Sequence, residues 1–441
     1  MICKRKYSAL LWVGLAAFIH PFGQPPDATP LLRPWAEGIS EKGLEKTIQT
    51  LEGFVTRNTM SDSQSETQGI GAARRWLVKT FSAIPGLQVE TDCYRLPAQG
   101  RRVVHPVELC NVLATLGGTD RPERSVVISA HYDTIAVSKD GRFDYQDTEN
   151  PAPGADDDAS GIAVLIESAR VLKDLKPKAS LVFAAFAGEE QGLLGATLLA
   201  RKWKQAGKKI EAVVNLDMIG NVEGGNGKVE ESRVRIFSED PADSPSRELG
   251  RYIHRIASKL GTAFSVDLVF RNDRFGRGGD HTPFLQEGFP AVRLTEAAEN
   301  YSRQHSTADI LKNLSLSYCR KVAGMVCASA AAMAKAPPAP RVQDENGTPL
   351  LGRGKGYEAR ISWQWAGEKE SLAGFRIYTR GTRDPFWQQS QWVSDATSYT
   401  MPDASIDDLV IGVSAVGQDG LESLISSYIL PSRPPAKIII E

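Results

Sequence analysis

The sequence predicts two units of different fold class. The first is an α/β unit with a mostly parallel or mixed central sheet sandwiched by helices, and the second is an all-β, immunoglobulin-like sandwich. Between residues 35 and 335, helical patterns alternate with short apolar runs, which indicates strands and helices in succession. From residue 346 to 433, apolar residues recur instead at every second position, which is the strand pattern. Turn-rich stretches separate these strand-like runs. Residues 336–345, rich in proline, are predicted to link the two units.

Length and composition limit which class of protein this chain can belong to. The chain has 441 residues, of which 41% are hydrophobic and 24% charged, so two folded domains are expected. The formal net charge is −1, which argues against a nucleic-acid partner, because such proteins normally carry a basic domain or stripe. After the N-terminus, no apolar run is long enough for a transmembrane span.

The N-terminus has the layout of a secretory signal peptide, assigned here to residues 1–24. Basic residues at positions 4–6 precede an apolar run over residues 9–19, and polar, proline-rich sequence follows. A retained membrane anchor is the alternative, although the run is short for a spanning helix. We therefore expect a secreted or periplasmic protein that has no stable membrane insertion once the signal is removed.

The α/β unit is predicted from eight segments. Helical periodicity marks GLEKTIQTLEGFV, AARRWLVKTFSAI, GIAVLIESARVLKDL and LLGATLLARKW. The strand-like runs are SVVISAHYD, ASLVFAAFAGEE, IEAVVNLDMIG and FPAVRLTE. These runs are almost continuously apolar, as expected of strands that are covered on both faces.

The C-terminal unit is predicted from the runs ARISWQW, GFRIYTRG, DLVIGVSAV and SLISSYIL. Trp363, Tyr378 and the segment VSAVGQDGLES resemble a fibronectin type III domain. Leu409 or Val410 replaces the aromatic residue usual in that family, which leaves the sandwich subtype open. Such a unit could contact a cell surface, a polysaccharide or the α/β unit, or act as a spacer.

Cysteine usage allows one disulfide. Cys93 and Cys110 lie on two successive strand-like runs, which neighbouring antiparallel strands would bring together. Export would permit a disulfide between them, and two buried free thiols are the alternative. Cys319 and Cys327 are eight residues apart on one helical pattern, too far apart to bond.

Polar residues end several of the predicted strands. They are His131 with Asp133, Glu189 with Glu190, Asp217, and Glu296. The carboxyl ends of strands form the binding crevice of an open α/β sheet. Each residue alone has an ordinary explanation, such as a helix cap or a buried histidine, but their joint occurrence predicts a site.

Ligand chemistry explains the residue types. Histidine nitrogen and carboxylate oxygen suit Zn²⁺, and two nearby ions need one carboxylate that bridges them. One bridge, two histidines and two further carboxylates make five ligands. Asp133 faces the same side of its strand as His131 and could accept the other imidazole N–H. Glu189, beside a ligand, could act as general base.

Six segments resemble the co-catalytic zinc aminopeptidases of metallopeptidase family twenty-eight. They are AHYDT, PGADDDASG, FAGEEQGLLGA, NLDMIG, GGDHTPF and QHSTAD, in the family order. The resemblance implies that His131 and Asp217 bind one zinc, that Glu190 and His305 bind the other, and that Asp157 bridges them. It also implies a cis peptide after Asp157, Glu189 as general base, and peptide or protein N-termini as substrates.

The sequence departs from the family pattern at one position. Several members carry a tyrosine directly before the last histidine to stabilise the oxyanion, but Gln304 stands there. Tyr301, four residues before His305, is the candidate replacement. Asp280 and His281 match a family position, and we assign them to loop structure around the site rather than to metal binding.

Three alternatives to an aminopeptidase remain open. A carboxypeptidase or an N-acyl-amino-acid hydrolase on the same two zinc ions would need a basic clamp, which Arg277 or Arg293 could supply. An aminopeptidase needs acids such as Glu296 for the substrate amine. A catalytically inactive receptor or adhesion module is expected to have lost metal ligands, whereas all five are present.

Overall fold

The computed structural model describes residues 26–137, 143–239, 243–273, 277–354 and 356–428. The predicted signal peptide and the last five residues of the predicted sandwich, 429–433, lie outside these ranges.

The central sheet has eight strands and a parallel centre. The strands lie in the order β1-β2-β6-β3-β7-β10-β8-β9, and β6, β3, β7 and β10 run parallel to one another. Strand β2 is antiparallel to β6, and β8 is antiparallel to β10, so the sheet is mixed. The strands of this unit, including the small β4–β5 pair, are β1 (Leu87–Leu96), β2 (Val107–Leu116), β3 (Arg121–His131), β4 (Ala136–Val137), β5 (Phe143–Asp144), β6 (Ala179–Phe186), β7 (Lys209–Leu216), β8 (Arg233–Phe237), β9 (Ser265–Val269) and β10 (Ala291–Glu296).

Helices cover both faces of this sheet. Every residue of β6 is buried, as expected where helices pack on both sides of a parallel strand. At the sheet edge, β1 alternates between more and less exposed residues instead. The helices are α1 (Thr29–Glu37), α2 (Glu41–Glu52), α3 (Gly69–Ser82), α4 (Gly161–Leu172), α5 (Leu194–Gln205), α6 (Pro245–Leu260), α7 (His281–Gln286) and α8 (Leu316–Lys335). The predicted α/β class is confirmed.

The first two strands form a hairpin that a disulfide closes. Cys93 of β1 lies opposite Cys110 of β2 in the antiparallel register, and the two are disulfide-bonded. Cys319 and Cys327 are free and buried in α8. The hairpin forms one edge of the sheet, and its connecting loop, residues 97–106, lies beside the carboxyl end of β6.

The C-terminal unit consists of two antiparallel sheets. One contains β11, β12 and β15, and the other contains β14, β13, β16 and β17. Trp363 and Phe375 pack edge to face in the core between them, with ring centroids 5.2 Å apart. These strands are β11 (Leu351–Arg353), β12 (Glu358–Ser362), β13 (Leu372–Gly381), β14 (Gln389–Val393), β15 (Ser398–Pro402), β16 (Leu409–Gly417) and β17 (Ser426–Ser427).

The boundaries differ in detail from the predicted ones. Helix α1 begins at Thr29, before residue 35, and its Leu32 is fully buried in the main core. The second half of the predicted linker belongs to the sandwich, because Arg341 pairs with Gln364 through two backbone hydrogen bonds. Val342 is accordingly buried in the sandwich core. Only the proline-rich part, which ends at Pro340, connects the two units.

The sandwich docks against helix α6 of the α/β unit. Glu248, only 3% exposed, accepts hydrogen bonds from Trp387 Nε1 and from Arg255, each at 2.8 Å. Arg251 donates to the Pro385 carbonyl, and the Tyr252 hydroxyl donates to the Glu422 carbonyl at 3.1 Å. Because these polar groups are buried and paired across the junction, the sandwich packs directly against the α/β unit.

We expect Trp387→Phe to lower the free energy of unfolding by about 1–2 kcal/mol, because it removes a hydrogen bond to the buried Glu248 carboxylate. The measurement is urea unfolding of the full chain. Trp392→Phe is the matched control, since Trp392 Nε1 has no hydrogen-bond partner among the described residues. Equal destabilisation by the two variants would show that the Trp387–Glu248 bond contributes nothing to the junction.

None of the helices in the described ranges is long and apolar enough to cross a membrane.

Candidate metal centre

The predicted site residues meet at the carboxyl ends of the parallel strands. His131 is the last residue of β3, Glu189 and Glu190 follow β6, and Asp217 follows β7. Since these strands are parallel neighbours, their carboxyl ends lie along one edge of the sheet. Asp157 arrives from the irregular turn that leads into α4.

Five side chains form two groups that share Asp157. In the first group, ligand atoms of His131, Asp157 and Asp217 all lie within 4.8 Å of one another. In the second, the same holds for Asp157, Glu190 and His305. One oxygen of Asp157 is 3.0 Å from Nε2 of His131, and the other is 2.9 Å from Nε2 of His305. The carboxylate of Asp157 thus faces both groups at once.

The donor set fits divalent zinc. Both groups offer imidazole nitrogen and carboxylate oxygen, which are zinc ligands in proteins, and all five residues are buried or partly buried. Oε1 of Glu190 is buried and accepts no well-oriented hydrogen bond from the described residues, although Nε2 of His305 lies 3.2 Å away. A carboxylate oxygen in that state has a free lone pair for a cation.

The two groups concentrate negative charge around Asp157. Burial opposes ionisation of Asp157, but hydrogen bonds with His131 and His305 outweigh it and hold its pKa well below the usual value. Burial also opposes protonation of His131, but hydrogen bonds with Asp133 and Asp157 raise its pKa well above the usual value. For Glu190, burial raises the pKa. The electrostatic field around the Asp157 carboxylate therefore favours the binding of a cation.

Asp133 holds the first histidine and the two glutamates in place. Its carboxylate accepts hydrogen bonds from the backbone N–H groups of Glu189 and Glu190, each at 3.2 Å, and from the Thr59 hydroxyl at 3.1 Å. Nδ1 of His131 is 3.7 Å from this carboxylate and 3.1 Å from the Asp133 carbonyl oxygen. These contacts orient the ring so that Nε2 faces Asp157, the arrangement expected of a metal-binding histidine.

Two acids that the sequence did not single out fix the backbone around Asp157. The Asp309 carboxylate accepts hydrogen bonds from the N–H groups of Asp156, at 2.7 Å, and of Asp157, at 3.1 Å. The Asp158 carboxylate accepts from the N–H groups of His131 and Gly161. The peptide bond between Asp157 and Asp158 is cis. Both acids lie inside segments that resemble the family, QHSTAD and PGADDDASG, and this is the sequence signal that points to them.

Arg57 is a third residue of the site region that no sequence pattern indicates. Its guanidinium is fully buried and donates to four backbone carbonyls, of Leu51, Tyr132, Pro153 and Gly154. Tyr132 follows His131, and Pro153 and Gly154 precede the turn that carries Asp157. Arg57 therefore ties together two segments that carry metal-centre residues. A lone arginine between two helices offers no sequence signal for this role.

A cleft of about 400 Å³ opens over the two groups. Glu189 lines it and is partly buried, and burial raises the pKa of its carboxyl well above the usual value. The remaining lining residues are Arg102, Tyr145, Asp157, Glu190, Gly192, Leu193, Asp217, Arg277, Gly278, Arg293, Gln304 and His305. Glu189 is thus placed at the wall of a substrate-sized space, beside both groups.

The tyrosine in this cleft is not the expected one. Tyr301 is 56% exposed and is not among the described residues that line the cleft. Tyr145, from the segment after β5, lines it instead. Gln304 donates from Nε2 to the Asp157 carboxylate at 2.9 Å. Gln304, which stands where several family members carry tyrosine, therefore contacts the shared carboxylate of Asp157.

The other candidate residues take supporting positions. Nε of Arg293 is 3.1 Å from the Asp217 carboxylate, and its Nη1 is 3.0 Å from that of Asp273. Arg277 forms an ion pair with Glu299. Glu296 is buried, accepts a hydrogen bond from the Asn221 N–H and does not line the cleft.

Asp280 and His281, at the start of α7, are fully buried and belong to neither metal group. Nε2 of His281 is 2.9 Å from the Glu239 carboxylate.

Fold and site define the chain as a hydrolase of the metallopeptidase class, and comparison with known proteins gives the family. Residues 111–330 match the model of Peptidase family M28. A relative from Pyrenophora tritici-repentis named "Probable zinc metalloprotease" is 34% identical over 421 residues, covering 87% of this chain and 94% of the relative. The chain belongs to peptidase family M28.

Solved structures share the fold. The LapA aminopeptidase of Legionella pneumophila aligns with a TM-score of 0.53 at 18% identity, covering 75% of this chain and 80% of that one. A glutaminyl cyclase of Macrostomum lignano aligns with a TM-score of 0.53 at 18% identity, covering 70% of this chain and 97% of that one. Because an aminopeptidase and a cyclase share this fold, the fold alone does not determine the reaction, and the chemistry of the site does.

Proposed function

We propose that this chain is a secreted exopeptidase with two zinc ions that removes residues from peptide N-termini. The observation that carries the proposal is the sharing of Asp157 between the two groups, since a single carboxylate facing both is what a two-ion site requires. His131 and Asp217 would hold one ion, Glu190 and His305 the other, and Asp157 both.

Bound there, zinc would supply Lewis acidity that activates the attacking water and polarises the scissile carbonyl. Glu189 would take the proton from that water and deliver it to the leaving amine, since its carboxyl lines the cleft beside both groups. Asp133 would keep the His131 ring in position during the reaction through its contact with Nδ1.

The charges in the cleft favour an amine-terminated substrate. Arg277 and Arg293, the clamp that a carboxypeptidase would need, are both paired with carboxylates. Four acids, Asp157, Glu189, Glu190 and Asp217, line the cleft, and Glu189 is the one that belongs to neither metal group. An α-ammonium group is attracted to the Glu189 carboxylate, whereas an N-acylated terminus carries no charge that this carboxylate could attract.

Export is supported by two features. Residues 1–24 have the layout of a signal peptide, and a disulfide such as Cys93–Cys110 forms and persists mainly in oxidising compartments. The expected location is outside the cytoplasm, with peptides or protein N-termini as substrates.

Metal analysis of the full chain tests the two-ion site. We expect two zinc ions per chain in the wild type and fewer than one in Asp157→Ala, because that change removes a ligand from both groups. Asp267→Ala, in an exposed ion pair on β9, is the control that should keep both ions. A wild type that binds a single zinc, or an Asp157→Ala variant that retains two, would contradict the shared carboxylate.

A substrate panel on the same protein tests the reaction. We expect hydrolysis of leucine p-nitroanilide and none of its N-acetylated form. Cleavage of the N-acetylated compound, or of C-terminal residues from N-acetylated peptides, would contradict the aminopeptidase assignment and favour the acyl-amino-acid hydrolase or the carboxypeptidase.

A further inference from the structure

An arginine from the β1–β2 hairpin reaches the cleft. Arg102 lies in the loop between the two strands and lines the cleft together with Glu189 and Glu190. Its Nη1 donates to the Glu190 backbone carbonyl at 3.4 Å, and its guanidinium lies 4.8 Å from the centre of the Tyr145 ring. The position of the guanidinium is therefore defined on one side by the metal-centre loop and on the other by an aromatic face.

Arg102 differs in its pairing from the other arginines of this cleft. Arg277 and Arg293 are neutralised by Glu299, Asp273 and Asp217. Over the described ranges, Arg102 forms no ion pair with a carboxylate, and its one hydrogen bond is long. Stacking on Tyr145 occupies the face of the guanidinium and leaves N–H groups along its edge to bind an anion.

The loop is built to hold this side chain in place. The Cys93–Cys110 disulfide closes the hairpin, and the Gln99 N–H donates to the Val103 carbonyl at 2.7 Å across the loop. Val103, the next residue after Arg102, is only 1% exposed. An anchored loop lowers the entropic cost of presenting a cation to a ligand.

We propose that Arg102 binds a substrate carboxylate on the leaving-group side of the scissile bond and so directs the enzyme toward short peptides with a free C-terminus. This inference rests on the proposed aminopeptidase function. A guanidinium repels the substrate α-ammonium group, so the amine lies away from Arg102, and Arg102 faces the other end of the substrate.

The length of one peptide residue sets how far the substrate carboxylate lies from the bond that is cut. One extended residue spans about 3.3–3.6 Å. The C-terminal carboxylate of a dipeptide is therefore about one residue beyond the bond that is cut. Arg102 contacts the backbone of Glu190 and lines the same cleft as the proposed base Glu189. An acidic side chain on the second residue offers the same carboxylate chemistry at a similar place.

Peptide kinetics on the zinc-loaded full chain test the proposal. The substrates are Leu-Gly, Leu-Gly-amide and Leu-Glu-amide, compared by kcat/KM for the wild type, Arg102→Ala and Arg102→Lys. We expect the wild type to prefer Leu-Gly over Leu-Gly-amide about tenfold, the effect of one charge-assisted hydrogen bond on binding. Arg102→Ala should bring this ratio close to one, mainly through a higher KM for Leu-Gly, and Arg102→Lys should restore part of it.

Arg101→Ala is the matched control, because Arg101 is an exposed neighbour in the same loop that does not line the cleft. It should keep the wild-type ratio. If Leu-Glu-amide is preferred over Leu-Gly-amide and Leu-Gly is not, the carboxylate is that of a side chain, and the short-peptide preference is overturned. Equal kcat/KM values for all three substrates, or a ratio unchanged in Arg102→Ala, would overturn the role of Arg102. If the proposed aminopeptidase function itself is wrong, none of the three peptides is cleaved. This result can be told apart from the outcomes that overturn only the role of Arg102.

Discussion

Glu189→Gln is expected to lower kcat for leucine p-nitroanilide by about 10²–10⁴-fold, the usual contribution of a general base. The amide has nearly the size of the carboxylate but cannot accept the proton of the attacking water. The zinc content should stay at the wild-type value, because Glu189 contributes no ligand atom to either metal group. Its backbone N–H, which donates to Asp133, is unaffected by the change.

The measurement combines steady-state kinetics with elemental analysis of the same preparation. Glu123→Gln provides the control, since Glu123 is an exposed acid near the opposite end of the sheet, on β3. A Glu189→Gln enzyme with activity within about tenfold of the wild type would show that another group moves the proton. Loss of zinc in this variant would mean that Glu189 binds metal.

Arg57→Met is expected to lower the free energy of unfolding by about 3–5 kcal/mol, because it removes the charged donor of several buried hydrogen bonds, each of which contributes about 1.5–3 kcal/mol. All four backbone carbonyls lose a charged donor. The carbonyls of Leu51 and Gly154 keep hydrogen bonds from Phe54 and Ala159, whereas those of Tyr132 and Pro153 would be left as buried acceptors with a desolvation cost. Burial lowers the pKa of Arg57 to about 10, so the side chain remains charged at neutral pH and makes these bonds as a cation.

Urea unfolding of the zinc-free chain measures this effect without a contribution from metal binding. Arg201→Met is the control, because the Arg201 side chain is 62% exposed. Arg57→Lys should fall between the wild type and Arg57→Met, since an ammonium keeps the charge but cannot match four carbonyls in one plane. A loss below about 1 kcal/mol in Arg57→Met would show that water or local rearrangement satisfies the carbonyls.

The fold class and most of the metal centre could be predicted from the sequence because they depend on local patterns. The change of apolar period from helical to alternating separates the two units along the chain. Parallel strands end at one edge of the sheet, so the polar residues that follow them, His131, Glu190 and Asp217, had to lie near one another. Family resemblance then selected Asp157 among three successive aspartates, and the structure places that carboxylate between the two histidines.

Other features depended on contacts between residues distant in sequence. Arg57 binds carbonyls up to 97 positions away, and Asp309 holds the Asp157 backbone from 152 positions away. The same applies to Glu248 and Trp387, which join the two units. The sequence positions of such partners follow no helical or strand period. A buried polar group forms hydrogen bonds with whichever backbone or side chain the packing brings next to it.

The sequence by itself therefore determined the α/β class, the β-rich C-terminal unit and the residue types of a metal centre at the sheet edge. The tertiary structure alone decided that Tyr145 and Arg102, rather than Tyr301, line the cleft, and that the sandwich is joined to α6. The physical reason is that periodicity records which face of an element is buried, whereas the neighbours of a loop side chain depend on how the elements pack.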